Sequence, residues 1–506
     1  MHTTGRLIPT LLAAAAAVLC APGCDRPAAQ GAGAAQSDGR PKVNVVLFLI
    51  DTLRADHVGA YGYPQPTTPN MDALARQGVV FENAHAPAPW TLPSLPSIHT
   101  STFPCEHGVV SDGHKISPDL PTLAERFQRL GYYTVSLWVN NWAGPATNMH
   151  RGFDVCENPN PRGGFVDGRQ VVQALQKRPG TPFFLSVHNL EPHNPHRARP
   201  EYIRLFGNVA SETRRRLGAL LRGRYNELLR ADFDRKQPLG TTDNTTEQDA
   251  LLAEVHSLLG EHLILYDAVV READKRVGSV VAALRELGVW DETLFIVLSD
   301  HGEEFNDHGA YLHSQSVYQE LAHVPLVLRF PRNEFAGRRI PDVISLIDVL
   351  PTIFDYLGRP DLIGPARGQT LLPLVRGQHR PADEWVVTTV RMNYKKYYRP
   401  WARTRGQMNV AARRGNWKGI WNDELKSVEL YDLSADPGEK SNLAAARPDL
   451  AQAVRQTLEP WFAACLSTKR DAGRGDVRDL PEEDVRGLQK LGYIGSQPAG
   501  DEDEEP

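Results

Sequence analysis

Asp51 ends an apolar run, VVLFLI; the pair Asp300-His301 follows a second, FIVLS; and His193 stands just past a third, FFLSVHNLEP. Two aspartates and a histidine form a donor set for a divalent cation that accepts oxygen ligands, and no cysteine cluster with metal-ligand spacing competes with it. Thr91, in PAPWTLPSLPSIHTSTFP, is the residue that would complete such a site. Its hydroxyl precedes LPS, where a helix can begin with Pro93 in its first turn, and a helix N-terminus favours negative charge. A cation combined with that field stabilises a threonine alkoxide and makes it a nucleophile. The competing role for Thr91 is an ordinary helix N-cap.

These residues are far apart in the chain, so the fold must gather them. KVNVVLFLID, YYTVSLWV, PFFLSVH, TLFIVLS and VPLVLRF are continuous apolar runs of the kind that form strands buried on both faces. Between them lie helical patterns, DLPTLAERFQRLG and VVREADKRVGSVVAALRELG, the second with Gly288 as a stop. The alternation predicts an α/β fold: a mostly parallel central sheet sandwiched by helices, with a smaller C-terminal α+β domain. In such sheets ligands bind beyond the carboxyl ends of the strands, where Asp51, His193 and Asp300-His301 would meet. The expected catalytic domain is 42–380, with a polar, Arg-rich helical insertion at 197–260. The α+β part follows at 381–470, and a tail at 471–506 ends in the acidic DEDEEP.

A chain of 506 residues, two-fifths hydrophobic, suffices for one large core and a smaller one. The formal charge of −5 and the lack of long basic runs argue against a nucleic-acid partner. Arg6 and the apolar run Leu7–Leu19 have the make-up of a signal peptide, ending in CAPGC, which looks like a lipoprotein box. The expectation is an exported periplasmic or cell-envelope lipoprotein, with residues 1–24 as leader and box and 25–41 as a flexible linker. Membrane contact would come only through a lipid anchor at Cys24, or not at all if the leader is lost by ordinary cleavage. Cys105, Cys156 and Cys465 remain; export permits a disulfide, but spacing does not choose the pair.

The stretch from NVVLFLIDTLRADHVGAYGYPQPTTPN through WTLPSLPSIHTSTFPCEHGV resembles the amino-terminal block of the sulfatase family, within the alkaline-phosphatase superfamily. FLSVHNLEPHNPH, IVLSDHGEEFNDHGAYLHSQSVYQELAHVPLVL and ELYDLSADPGEKSNLA match further blocks in order, and LPEEDVRGLQKLGYIG resembles a tail of bacterial members. The resemblance implies that Asp51, Thr91, Asp300 and His301 bind one divalent cation (Ca, Mg, Mn or Zn). It implies that His193, His308 and His313 face the substrate or leaving group, with His313 the acid, and that Lys418 contacts the anion. Arg54, just after Asp51, would bind the anion or pair with a carboxylate. His99 and His107 suit structural roles, while His188 is open to either.

This sequence departs from the family pattern in three places. Where the familiar sulfatases carry the Cys or Ser that becomes formylglycine, Thr91 stands; Leu95 takes the place of the Arg that follows; and Thr52 replaces a second acidic residue. Threonine cannot yield that aldehyde, so the implied chemistry is direct attack by Thr91 on phosphorus or sulfur, as in the threonine phosphodiesterases of the superfamily. The expectation is a metal-dependent hydrolase of a sulfate or phosphate ester, on a small-molecule or glycan substrate. The alternatives are a transferase moving a phosphoryl headgroup onto a sugar or lipid, and a catalytically silent glycan binder.

Overall fold

The computed structural model describes residues 43–474, apart from 112, 161–163, 224–252, 310, 382–383, 393–407, 469 and 471, together with residue 485. The leader, lipoprotein box and linker, the middle of the 197–260 insertion and nearly all of the tail therefore lie outside the described residues. In chain order the strands are β1 (Asn44–Ile50), β2 (Val79–His85), β3 (His114–Lys115), β4 (Tyr133–Trp138), β5 (Val155–Glu157), β6 (Phe183–Asn189), β7 (Thr293–Ser299), β8 (Glu304–Phe305), β9 (Tyr311–Leu312), β10 (Leu326–Arg329) and β11 (Arg338–Ser345). They are followed by β12 (Val386–Arg391), β13 (Asn409–Arg414), β14 (Trp417–Asn422), β15 (Ser427–Asp432) and β16 (Gly473–Arg474).

Eight strands build the central sheet in the order β11-β2-β10-β7-β1-β6-β4-β5. Of these, β10 alone runs against its neighbours, which gives the mostly parallel sheet expected. All seven residues of β1 are buried. Because side chains alternate along a strand, Val45, Leu47 and Leu49 enter one apolar cluster while Val46, Phe48 and Ile50 enter another. The first cluster takes in the helices Thr91–Thr100 and Val349–Tyr356, and the second the helices Gly168–Leu175 and Leu259–Glu286.

All five apolar runs become strands: β1, β4, β6, β7 and β10. Two further strands, β2 and β11, pair in parallel with each other at one side of the sheet. Their sequences, VVFENAH and RRIPDVIS, mix polar and apolar residues because β11 is an edge strand with an exposed N-terminal end. The helix Leu123–Arg129 opens on a capping box, with Thr122 Oγ1 accepting from Glu125 N at 3.2 Å and Glu125 Oε2 accepting from Thr122 N at 2.8 Å. The long helix begins at Leu259, well before its periodic pattern, and Gly288 beyond its end takes φ +69°. Among the described residues no helix is long and apolar enough to cross a membrane.

Strands β12 to β15 form a separate antiparallel sheet backed by the helix Pro448–Ser467. Gly419 allows that contact, since a Cβ there would lie 2.4 Å from Val454 Cγ2. The sheet also braces the segment before Thr91: Val390 N donates to Pro87 O at 2.9 Å, and Thr389 Oγ1 to Ala86 O at 2.7 Å. A Cys105–Cys465 disulfide, with Cα atoms 5.7 Å apart, ties the helix to the chain just after Thr91's helix, and Cys156 is unpaired. It closes a loop across a sequence separation of 360, so Cys105→Ser with Cys465→Ser is expected to cost about 2–5 kcal/mol. A denaturation midpoint unchanged in the double variant would show that packing alone holds the helix.

Candidate active site

Each residue of the group is delivered by the C-terminal end of a strand or by the start of a helix. Asp51 follows β1 and its N–H donates to Asn189 O, at the end of β6, at 3.0 Å. Asp300 and His301 follow β7. The turn after β1 is laced to that strand end, with Leu53 N donating to Ser299 Oγ at 2.9 Å and Ser299 Oγ to His301 O at 2.7 Å. Thr52 holds φ +57°, a conformation rare for a β-branched residue, and its backbone N–H is bonded to Asp300. Thr91 is the first residue of its helix, with Trp90 in the cap position, so its hydroxyl is not occupied in capping.

The Thr91 Oγ1 atom lies 3.1 Å from His301 Nε2 and 3.5 Å from Asp51 Oδ1. His301 Nε2 is 3.5 Å from Asp51 Oδ1 and 3.6 Å from Asp300 Oδ2. His301 Nδ1 donates to Gly302 O at 2.8 Å, which fixes the tautomer and leaves the Nε2 lone pair turned to the group. Ligand atoms from Asp51, Asp300 and His301 all lie within 4.8 Å of one another, and Asp300 Oδ2 is buried with no hydrogen-bond partner. Two buried carboxylates, one such oxygen unpartnered, and one imidazole fit a divalent cation accepting oxygen and nitrogen. Burial raises both carboxyls, Asp300 to about 7, and the charge of Asp300 adds to the rise at Asp51.

His313 stands beside the group, its ring centroid 4.5 Å from that of His301 and 5.0 Å from that of His193. Its Nδ1 donates to Glu303 Oε1 at 2.9 Å, so Nε2 is the nitrogen turned outward. His193 Nδ1 donates to Asn194 O at 2.7 Å. The structure gives Arg54, His308 and Lys418 partners outside this group. Every N–H of the Arg54 guanidinium is used by Asp56, Asp307 and the carbonyl of Glu303. His308 is held by Glu320 Oε1 at 2.7 Å and Glu439 O at 3.1 Å. Buried Lys418 spends its ammonium on Glu439 Oε1 at 2.7 Å and Val317 O at 2.8 Å.

Two residues that the sequence reading passed over belong to the site. Asn140 Nδ2 donates to Asp51 Oδ2 at 3.0 Å. It follows YYTVSLWV, so the strand-end rule that singled out Asp51 applied to it as well. Glu303 sits in the SDHGEEF block already quoted, but its job of holding His313 depends on a contact made only in the folded chain. Leu95 is packed in the apolar core. His107 bonds Ser97 Oγ at 2.9 Å and Val109 N at 3.0 Å, and His188 Nε2 lies 3.8 Å from Asp51 Oδ2.

It is the comparisons with known proteins that give this mostly parallel sheet, with these groups at its carboxyl edge, its class, the sulfuric ester hydrolases. Residues 43–359 match the family model Sulfatase, and the chain belongs to that family. Residues 306–462 match N-sulphoglucosamine sulphohydrolase, C-terminal. The chain is 23% identical, over 84% of its length and 88% of the relative's, to N-acetylglucosamine-6-O-sulfatase of Bacteroides thetaiotaomicron. It is 24% identical, over 81% and 86%, to Delta 4,5-hexuronate-2-O-sulfatase of the same organism. Among solved structures, phosphonate monoester hydrolase of Agrobacterium radiobacter shares the fold with a TM-score of 0.62 at 21% identity, over 84% of this chain and 96% of that one.

A carboxyl raised in the folded state holds protons that the unfolded chain has lost, so the Asp300 contribution to stability falls as pH rises through about 7. A cation that claims the ionised form offsets this loss. Added Mg²⁺, Mn²⁺ or Ca²⁺ is therefore expected to raise the thermal midpoint more at about pH 8 than at about pH 5, and Asp300→Asn to remove the response. No midpoint shift with any of these ions, or with Zn²⁺, would sink the metal assignment.

Proposed function

We propose that this chain is an exported, metal-dependent hydrolase of a sulfate or phosphate-type ester that uses Thr91 as its direct nucleophile. The supporting observation is the buried Thr91 hydroxyl at the first position of a helix, 3.1 Å from His301 Nε2 and 3.5 Å from Asp51 Oδ1. Asp51, Asp300 and His301 would hold a divalent cation, which when bound would lower the hydroxyl pKa and offset charge on the transferred oxygens.

Thr91 Oγ1 forms a bond to sulfur or phosphorus as the bond from that atom to the leaving oxygen breaks, and the hydroxyl proton is released to solvent. His313 gives its Nε2 proton to the departing alkoxide, while Glu303 on Nδ1 stabilises the imidazolium before transfer. In the second half water attacks the threonine ester, His313 takes back a proton, and Thr91 recovers its hydroxyl. Asn140 keeps the Asp51 carboxylate oriented through both halves. The lack of a formylglycine precursor turns the chemistry toward phosphorus, and the phosphonate monoester hydrolase fold relative supports that direction. A glycan ester is the substrate class suggested by the named relatives. Export is supported by the leader-like run and by the disulfide, which suits an oxidising compartment.

Matched aryl sulfate, phosphate monoester, phosphonate monoester and phosphodiester substrates test this reading. Thr91→Ala is expected to lower kcat by about 10³-fold or more on whichever ester turns over, and retained turnover would remove Thr91 as nucleophile. His313→Ala is expected to cost about 10²- to 10⁴-fold, and less as the leaving group becomes more acidic. A loss independent of leaving-group pKa would assign His313 to positioning.

A further inference from the structure

We propose that the cavity between the loop after β6 and the helix Ser211–Gly223 is an anion-binding subsite that takes a second charged group of the substrate, a sulfo or carboxylate substituent. The identity of the occupant rests on the proposed ester-hydrolase reading; the anion site itself does not. The cavity measures about 270 Å³ and is lined by His196, Arg197, Arg214, Arg215, His262 and apolar residues, with no Asp or Glu among the described residues of its wall. Arg215 is paired with Glu212 at 2.5 Å. Arg197 is exposed and has no carboxylate partner among the described residues.

Three buried polar atoms on residues that line this cavity have no hydrogen-bond partner among the described residues: His196 Nε2, His262 Nδ1 and Arg214 Nε. The histidines themselves are 6% and 1% exposed. His196 Nδ1 lies 2.9 Å from His262 Nε2, so one ring donates to the other. If both rings are neutral, this shared bond leaves one remaining nitrogen as a donor with no acceptor and the other as an acceptor with no donor. Burial keeps both rings neutral near pH 7, so the positive charge of the pocket comes from the arginines. Buried donors are rarely left unmatched unless a ligand or water matches them. Guanidinium and imidazole N–H groups are the donors that bind oxyanions.

The cavity is close to the candidate active site. His196 is three residues beyond His193, and its ring lies 5.8 Å from Phe305 and 5.3 Å from Tyr266. Tyr266 donates to Thr52 O at 2.7 Å, and Phe305 is in the short ribbon that precedes His313. Tyr266 and Phe305 thus link the cavity's histidines to the segments that carry Thr52 and His313. The helix that supplies Arg214 and Arg215 belongs to the 197–260 insertion, where substrate selection would be expected to reside.

Imidazole NMR of the full chain labelled at histidine Cε1, in magnesium buffer, reads the site without any need for turnover. Titration with sodium sulfate is expected to shift the His196 and His262 signals saturably, and Arg197→Gln with Arg214→Gln to weaken that affinity about tenfold or more. The His313 signal and the thermal midpoint report whether the double variant keeps its fold; if it does not, Arg197→Gln alone gives the comparison. Tighter binding of sulfate than of acetate assigns a sulfo group, and the reverse assigns a carboxylate. The proposal is overturned if His196 and His262 stay unmoved up to about 50 mM of either ion, far beyond the millimolar range of a weak ion contact. It is equally overturned if the double variant, correctly folded, binds both ions as tightly as the parent.

Discussion

The structure turns on two buried carboxyl groups, Asp51 and Asp300, beside one buried hydroxyl, that of Thr91. Neither aspartate is exposed, and each is raised by burial, with Asp300 also acting on Asp51. Ionised, such a pair is unfavourable unless something positive lies between the two charges, and among the described residues no Lys or Arg pairs with either. Arg54 is committed to Asp56 and Asp307, and Lys418 to Glu439. The nearest imidazole, His301, is itself held neutral by burial. A divalent cation held by Asp51, Asp300 and His301 would supply that charge, and the rest of the fold keeps the two carboxyls in place.

The scaffold does this with parallel strands that end together. β1 and β7 are adjacent and in register, Ile50 opposite Ser299, so the residues that follow them emerge side by side. Thr91 comes from outside this pair, and its position depends on the helix Thr91–Thr100, buried along its whole length, and on the β12 contacts at Ala86 and Pro87. The second sheet is therefore part of the active-site support. Through Cys105–Cys465 and the Lys418–Glu439 pair it connects the chain just beyond Thr91's helix to the His308 network.

Much of this was legible in the chain. The continuous apolar runs gave β1, β4, β6, β7 and β10 because strands buried on both faces leave no room for polar alternation, and a polar residue immediately after such a run marks its exit into the crevice. That reasoning reached Asp51, Asp300, His301 and His193. The edge strand β11 and its partner β2 escaped it, since an edge tolerates charge. For Arg54 the sequence left anion contact and carboxylate pairing both open, and for His308 and Lys418 it held no sign of the partners the fold provides. A charged residue in a family-like block reads as a substrate contact until the structure shows its carboxylate partner, and Asp56, Asp307, Glu320 and Glu439 carry no sign in sequence of whom they pair with. The cysteine pair was beyond spacing for the same reason, because a loop of that length places no constraint on its ends until the sheets are assembled.

The two departures around Thr91 bear on each other. Thr91 and Leu95 are four residues apart on one helix and so share a face. A leucine there, packed into the core, brings no charge to an anion bound at Thr91. The helix N-terminus contributes only a partial charge, so most of the attraction for an anionic ester would come from the cation that Asp51, Asp300 and His301 would hold. A substrate with a second anionic group that reached the arginine-lined cavity would regain attraction that the leucine cannot give, without strengthening contacts at the reacting atom itself. Binding energy collected at a distance can be used to hold the ester in line with Thr91. In that arrangement the basic insertion takes over, from outside the reacting centre, the charge that an arginine in the place of Leu95 would have supplied within it.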